Sequence, residues 1–333
     1  MQSDRRRLNP PAGGTAPPIF EYPSHITRPS RTRQAEEHRK IFLRTGVVPS
    51  ASGSAYYEIS PQDVSSKSKD ANALLIPLTS SLKIICTVHG PRPLPRTAAF
   101  SPNLLLTTHI KFAPFATRVR RGYIRDASER DLAQHLETAL RGVIIGERWP
   151  KAGCEVVVTI LEGEEDGFPE IGGEGRSGKG TGWGLMSVLA GCITVASAAL
   201  CDAGIDCVDL VSGGVAALVE RKPASTGNSE GNAEFVLDPA PPEEDIRAAC
   251  VVGYMHSRDE ISEMWMKGDA GVESEKLIDS AVKAAVLTRT VLAEAVKESA
   301  ELKLKKLPEA ANGAPPAAAA AAKGKGKDVT MTG

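Results

Sequence analysis

Residues 186–201 (MSVLAGCITVASAALC) constrain this chain most. The stretch is apolar on every side, yet it is built largely of Ala, Ser, Gly and Thr. A bilayer-spanning helix needs about 20 predominantly apolar residues. This run is shorter and small-sided, and a helix that is hydrophobic all round belongs inside a protein. It therefore predicts a buried helix over about 184–203, with Gly204 as its C-cap.

The flanking pattern surrounds that helix with strands. Residues 83–89 (KIICTVH) are β-branched and compact, and Gly90-Pro91 is expected to stop them. Residues 104–112 read as a second strand. Ser128 offers a helix N-cap with Asp131 three residues on, and Leu132, Leu136, Leu140 and Val143 then recur at helical spacing. That helix is expected to end near Gly146, before Pro150. Residues 155–161 (EVVVTIL) have almost no polar side, which predicts a strand covered on both faces. Further strands are expected near 209–219, 234–237 and 249–255, with a polar turn at 223–232. A long helix is expected over 274–303. The order of strands, helix, strand, helix, strands and helix predicts an α/β fold of mixed sheets packed with helices, not a regular βαβα alternation.

Pro- and Gly-rich residues 1–27 read as a disordered tail. The Pro/Ala and Lys/Gly run near 314–327 reads as a solvated tail whose lysines are open to RNA. The folded domain is expected over 28–303, with halves at 28–203 and 204–303, a loop insertion at 163–182 and a low-complexity tail at 304–333. Hydrophobic residues make up 41% of the 333-residue chain and aromatics only 5%, so the core must rest on Val, Ile, Leu and Ala. A net charge of −1 argues against coating nucleic acid by bulk charge and leaves room for a local basic patch. The six cysteines form no CxxC, and no His is placed to complete a zinc site. They read as reduced core thiols, with no metal and no cofactor. The N-terminus is Arg-rich but has no apolar leader core, so a soluble intracellular protein with no membrane association is expected.

Residues 173–181 (GEGRSGKGT) nearly spell a phosphate-binding P-loop. Gly180 stands where the magnesium-holding Ser or Thr belongs, and Thr181 comes one residue late. The preceding strand also ends about a dozen residues too early, so a loop insertion is the expected reading.

Several segments in fixed order are similar to the RNase PH family. RPSR at 28–31 leads into EEHRKI at 36–41 and Gly46, resembling the family's opening stretch, with Ser30 or Thr32 where its Gly-Arg would fall. GSAYYE at 53–58 resembles its GSA-Y-E strand, and VHGPR at 88–92 its V-x-GP. APF at 113–115, followed by an arginine cluster and Glu129-Arg130, resembles the archaeal and eukaryotic exosome branch. ITVAS at 193–197, Leu200 and DAGI at 202–205 are similar to the central helix, and VLDP at 236–239 with Glu243 and Glu244 to the acidic hairpin after it. The resemblance covers about 28–300. Departures at 65–72, at 163–182 and in both tails favour a eukaryotic exosome-ring subunit of the mRNA transport regulator type.

The resemblance implies a fold built for phosphorolysis of RNA, in which phosphate must be held by an arginine fork and backbone amides. The family's Gly-Thr/Ser-Arg motif falls here on Ser187, Val188 and Leu189, so that charge is missing. No replacement arginine is evident nearby; Arg176, in the insertion, would have to swing in to serve. Two carboxylates six apart, suited in active members to metal binding and general-acid work, fall on Asp238 and Glu244. The bland reading of that segment is a solvated acidic loop. The implication is a non-catalytic ring subunit that supports RNA processing and degradation by assembly and threading.

Its implied partners are other RNase PH-like ring subunits, S1/KH-type cap subunits and single-stranded RNA, in nucleus, nucleolus and cytoplasm. Candidate RNA contacts are Arg118, Arg120, Arg121 and Arg125, then Arg92 and Arg96. The alternative for the first cluster is a solvated run balanced by Asp126, Glu129 and Asp131. Two other functions stay open, an active phosphate-dependent exoribonuclease and a free-standing RNA-binding adaptor.

Overall fold

The computed structural model describes residues 31–60, 81–117, 120–164, 182–220 and 233–313, with side chains to Lys305. The tails, the 65–72 segment, the near P-loop with Arg176, the 223–232 turn and Arg118 lie outside the described residues.

Two sheets carry the fold. The first has the order β1 (Ile41–Thr45), β2 (Gly53–Ile59), β3 (Leu82–Pro93), β5 (Ala152–Glu162), β4 (Leu105–Phe112). Only β4 and β5 run parallel in it. The second sheet has the order β7 (Ala233–Leu237), β6 (Val211–Glu220), β8 (Ile246–Met255), β9 (Glu260–Gly268), all antiparallel.

Helix α2 (Gly184–Ala203) packs against β2 and β3 on one side and β6 and β8 on the other. It is therefore the central layer, buried from Met186 to Leu200. It is the only described helix long and apolar enough to cross a membrane, and here it is a core helix. Its small residues let strands approach its backbone. A Cβ on Gly213 of β6 would lie 2.1 Å from the Ala190 carbonyl oxygen, and one on Gly53 of β2 would lie 2.3 Å from the Ala203 nitrogen. Helix α1 (Ala127–Arg141) covers β4 and the flank of α2. Helix α3 (Ser274–Gly313) covers the outer face of the second sheet, where Leu277, Ala281, Ala284 and Ala285 meet Ala216, Cys250 and Val252.

Several boundaries differ from the sequence reading. Gly90-Pro91 does not stop β3; the strand runs through this cis peptide, across a register shift, to Pro93. Strand β2 reaches only to Val88, so the missing proline N–H groups break no ladder bond on that side. Helix α1 is capped by Asp126 and Glu129, two residues earlier than expected, and ends at Arg141 with Gly142 as its cap instead of near Gly146. Strands β1 and β9 were not read, and α3 runs ten residues further than expected. All six cysteines are free thiols, and burial pushes Cys154, Cys201 and Cys250 up to about 11.

Candidate functional site

The chain leaves β7 and enters a turn at Asp238, whose backbone sits in the left-handed region at φ 49°. Asp tolerates that conformation better than most residues. The turn is pinned by Leu237 N–H donating to the Ala35 carbonyl (2.8 Å) and Asp238 N–H to that of Val215 (3.1 Å). This aims the Asp238 carboxylate inward, where it is 1% exposed.

Asp238 accepts from Arg39 Nε at 2.8 Å and Nη2 at 2.7 Å, a two-pronged pair, and from the Arg39 backbone N–H at 3.0 Å. Arg33 Nη1 adds a contact at 3.2 Å. The Arg39 guanidinium also holds Glu164 at 3.0 Å, just past β5. Arg33 reaches Glu243 and Arg31 reaches Glu244, each at 3.4 Å. Arg31 further donates to the carbonyls of Gln34 (2.8 Å), Glu37 (3.0 Å) and Leu237 (3.1 Å).

The segment at 238–244 is therefore not a solvated acidic loop. Asp238, Glu243 and Glu244 are buried, and guanidinium groups from residues 31–39 supply the counter-charge that burial requires. Burial pushes the Asp238 carboxyl up, but the Arg39 charge and hydrogen bonds, with Arg33, bring it well below the usual carboxylate range. Burial lowers the Arg39 guanidinium, but Asp238 and Glu164 outweigh this and raise it well above its ordinary value. Burial raises the Glu244 carboxyl against the pull of Arg31 and Arg33. His38 lies 3.7 Å from Asp238, and burial holds its imidazole below its ordinary value. Among the described residues no cluster fits a metal ion.

Ser187, Val188 and Leu189 fall near the start of α2 and face the interior. Val188 and Leu189 are completely buried, and Ser187 Oγ has no hydrogen-bond partner among the described residues. Val188 and Leu189 offer only hydrocarbon, and the Leu189 position carries no cationic group.

The arginine candidates separate into two places. Arg92 is level with Gly153, at the start of β5, and Arg96 lies in the turn beyond β3. Arg121 stacks 3.9 Å over Phe112, which is level with Ile160 at the far end of β5. An eight-residue strand, about 25 Å, separates the groups. Arg120 and Arg125 belong to the second place; Arg120 is exposed, and Arg125 Nη1 lies 2.9 Å from His109 Nδ1. Glu129 is not a surface counter-charge for them. It is buried and accepts from Lys111 Nζ (3.1 Å), Phe112 N–H (2.9 Å) and Asp126 N–H (3.0 Å).

Sequence reading placed Arg31 and Arg39 in a motif but gave them no partners. His38 stands in the same motif, likewise without a partner, and nothing in the sequence singles out Arg33 or Glu164. The one available signal was a run of arginines next to a start strand, set against an uncompensated acidic run some two hundred positions later.

Comparison with known proteins agrees with this architecture. The profile of the RNase PH family, described as "3' exoribonuclease family, domain 1", matches residues 37–206. The chain is 46% identical to the exosome complex component MTR3 of Chaetomium thermophilum, over 89% of this chain and 99% of that protein. It is 30% identical to exosome complex component mtr3 of Schizosaccharomyces pombe, over 88% and 96%. Its fold is similar to that of rice (Oryza sativa) Rrp46, with a TM-score of 0.58 and 15% identity over 80% of this chain and 98% of that one.

Proposed function

Because the chain belongs to the RNase PH family, we propose that it is a structural subunit of the exosome core ring that supports 3′-to-5′ RNA processing and degradation without phosphorolysis of its own. Its relatives named as exosome components, matched along nearly their whole length, support the ring assignment. One observation carries the non-catalytic part. The positions that resemblance assigns to phosphate are filled by the completely buried Val188 and Leu189. Phosphorolysis requires phosphate held in line with its charge offset by preorganised donors, and an apolar helix face supplies none. Of the two carboxylates, Asp238 is engaged by Arg39 and Arg33 and Glu244 by Arg31, so both serve as internal ties.

In this reading the partners are other RNase PH-like subunits, S1/KH-type cap subunits and single-stranded RNA, in nucleus, nucleolus and cytoplasm. Arginines at the two ends of the first sheet contact RNA phosphates without base preference. Arg120, Arg121 and Arg125 lead at one end, Arg92 and Arg96 are secondary candidates at the other, and Arg118, outside the described residues, joins the first group by sequence alone.

The test has two parts. The purified chain, given single-stranded RNA and inorganic phosphate, is expected to release no nucleoside diphosphates; phosphate-dependent release would overturn the non-catalytic reading. A ring carrying Arg118→Glu, Arg120→Glu and Arg121→Glu is expected to crosslink RNA less, and unchanged crosslinking would remove these arginines from the RNA path.

A further inference from the structure

The loop between β4 and α1 is anchored from below. Lys111 Nζ donates to the carbonyls of Gly122 (3.2 Å) and Ile124 (3.1 Å) while paired with the buried Glu129. Arg121 N–H donates to the Pro114 carbonyl (3.2 Å), and the Arg121 side chain lies over Phe112. Asp126 caps α1 and closes the far end of the loop. So the base is fixed, yet the tip holds large apolar groups out in solvent. Tyr123 is 89% exposed, Phe115 73% and Ile124 68%. The exposed Arg120 and Arg125 flank Tyr123 in sequence, and Arg125 Nη1 lies 2.9 Å from His109 Nδ1.

We infer that this loop is a base-stacking platform for single-stranded RNA, with Tyr123 as the stacking residue and Arg120 and Arg125 as its phosphate contacts. The inference deepens the proposed RNA-threading role and rests on it. Every base has a π-face, so an exposed aromatic ring among arginines recognises a strand without regard to sequence. The positive flank favours RNA over a neutral protein surface. The anchoring matters because residues 121–126, already held by Lys111, the Pro114 carbonyl and the helix cap, lose little freedom on binding. Tyr123 is set apart from the arginines by what it recognises, the base instead of the backbone.

The experiment uses the ring assembled from this chain and its partner subunits, with fluorescent oligo(U) and a matching oligonucleotide bearing abasic positions. Tyr123→Ala is expected to weaken oligo(U) binding by about fivefold or more, without changing its salt dependence. Tyr123→Phe is expected to keep wild-type affinity. Arg120→Glu is expected to lower the salt slope by about one unit. On abasic RNA the Tyr123→Ala defect should disappear, and ultraviolet crosslinking should map to Tyr123 in the wild type.

If Tyr123→Ala binds oligo(U) like wild type and no crosslink reaches position 123, the platform is wrong while the ring reading stands. If Tyr123→Ala prevents ring assembly, the loop is a protein contact and the RNA inference is overturned. If the wild-type chain enters no ring, the functional reading fails and this inference with it.

Discussion

Arg39 is the residue that joins the buried carboxylates Asp238 and Glu164. It holds Asp238 with two side-chain nitrogens and its own backbone N–H, and it reaches Glu164 as well. Breaking a buried ion pair from one side leaves an uncompensated charge and costs about 3–5 kcal/mol. Arg39→Ala is therefore expected to lose about that much in urea unfolding, and a loss below about 1 kcal/mol would show that the cluster relaxes into water. Leu189 offers the opposite test. Placing arginine there buries a charge in hydrocarbon, so Leu189→Arg is expected to lower stability sharply and to release no nucleoside diphosphate. His38 gives the cluster a pH dependence. Burial lowers its folded pKa below the ordinary value of 6.5, so below about pH 6.5 the unfolded chain binds a proton that the folded chain refuses. Its contribution is present above pH 6.5 and is lost as pH falls through the folded value. Glu244 runs the other way, because its raised carboxyl pKa costs stability at neutral pH and that cost is relieved as pH falls toward it. Asp238, held far lower, keeps its contribution through this window. Thermal unfolding is expected to drop between pH 7.5 and 5.5 in the wild type and less in His38→Gln; parallel curves would discard His38 as the source.

At the scale of elements, α2 works because its side chains are small. Gly213→Ala puts a methyl group 2.1 Å from the Ala190 carbonyl oxygen, which neither backbone can accommodate without shifting. Overpacking of this kind costs about 1–3 kcal/mol, occasionally more, and a variant with unchanged urea midpoint would refute the close packing of β6 on α2. Helix α3 divides by depth. Leu277 and Leu292 are completely buried, whereas Leu302 and Leu304 are exposed. Leu277→Ala is expected to cost about 2–5 kcal/mol and Leu304→Ala close to nothing in the isolated chain. These same elements show what the sequence could reveal. Helix α2 was legible to its first and last residues because an all-round apolar run ending in Gly has few solutions. Strands β3, β4 and β5 were legible because β-branched residues crowd their buried faces. Strand β9 was not, because EISEMWMKG mixes charges with Met and Trp on a half-covered edge. Ser128 and Asp131 share the spacing of Asp126 and Glu129, but the Asp-x-x-Glu pair is the one that closes a capping box, and Glu129 is held further by Lys111 and Phe112. The arginine–carboxylate cluster was invisible for another reason, since Arg39 and Asp238 are 199 positions apart and local pattern carries no information about such a pair.

For the whole molecule, the two sheets share α2 as a common layer, and their outermost strands are β1 and β4 in one and β7 and β9 in the other. Unpaired strand edges invite pairing with another chain, which suits a subunit proposed to work between neighbours. A tagged chain is expected to elute in a large assembly with other RNase PH-like subunits. Elution only as a monomer from native extract would favour the adaptor alternative. The Arg39–Asp238 tie also has a consequence in time. A ribosome adds about 5–20 residues per second, so Arg39 emerges on the order of 10–40 s before the carboxylate that neutralises it. Throughout that interval the nascent first sheet carries a guanidinium with half its counter-charge missing, and its closure must wait for β7. The segment 31–39 is thus expected to gain its full counter-charge only after Asp238, 199 positions after Arg39, has been added. A nascent chain stalled after residue 220 is therefore expected to stay protease-sensitive around 31–39, and one stalled beyond α3 is expected to be protected there.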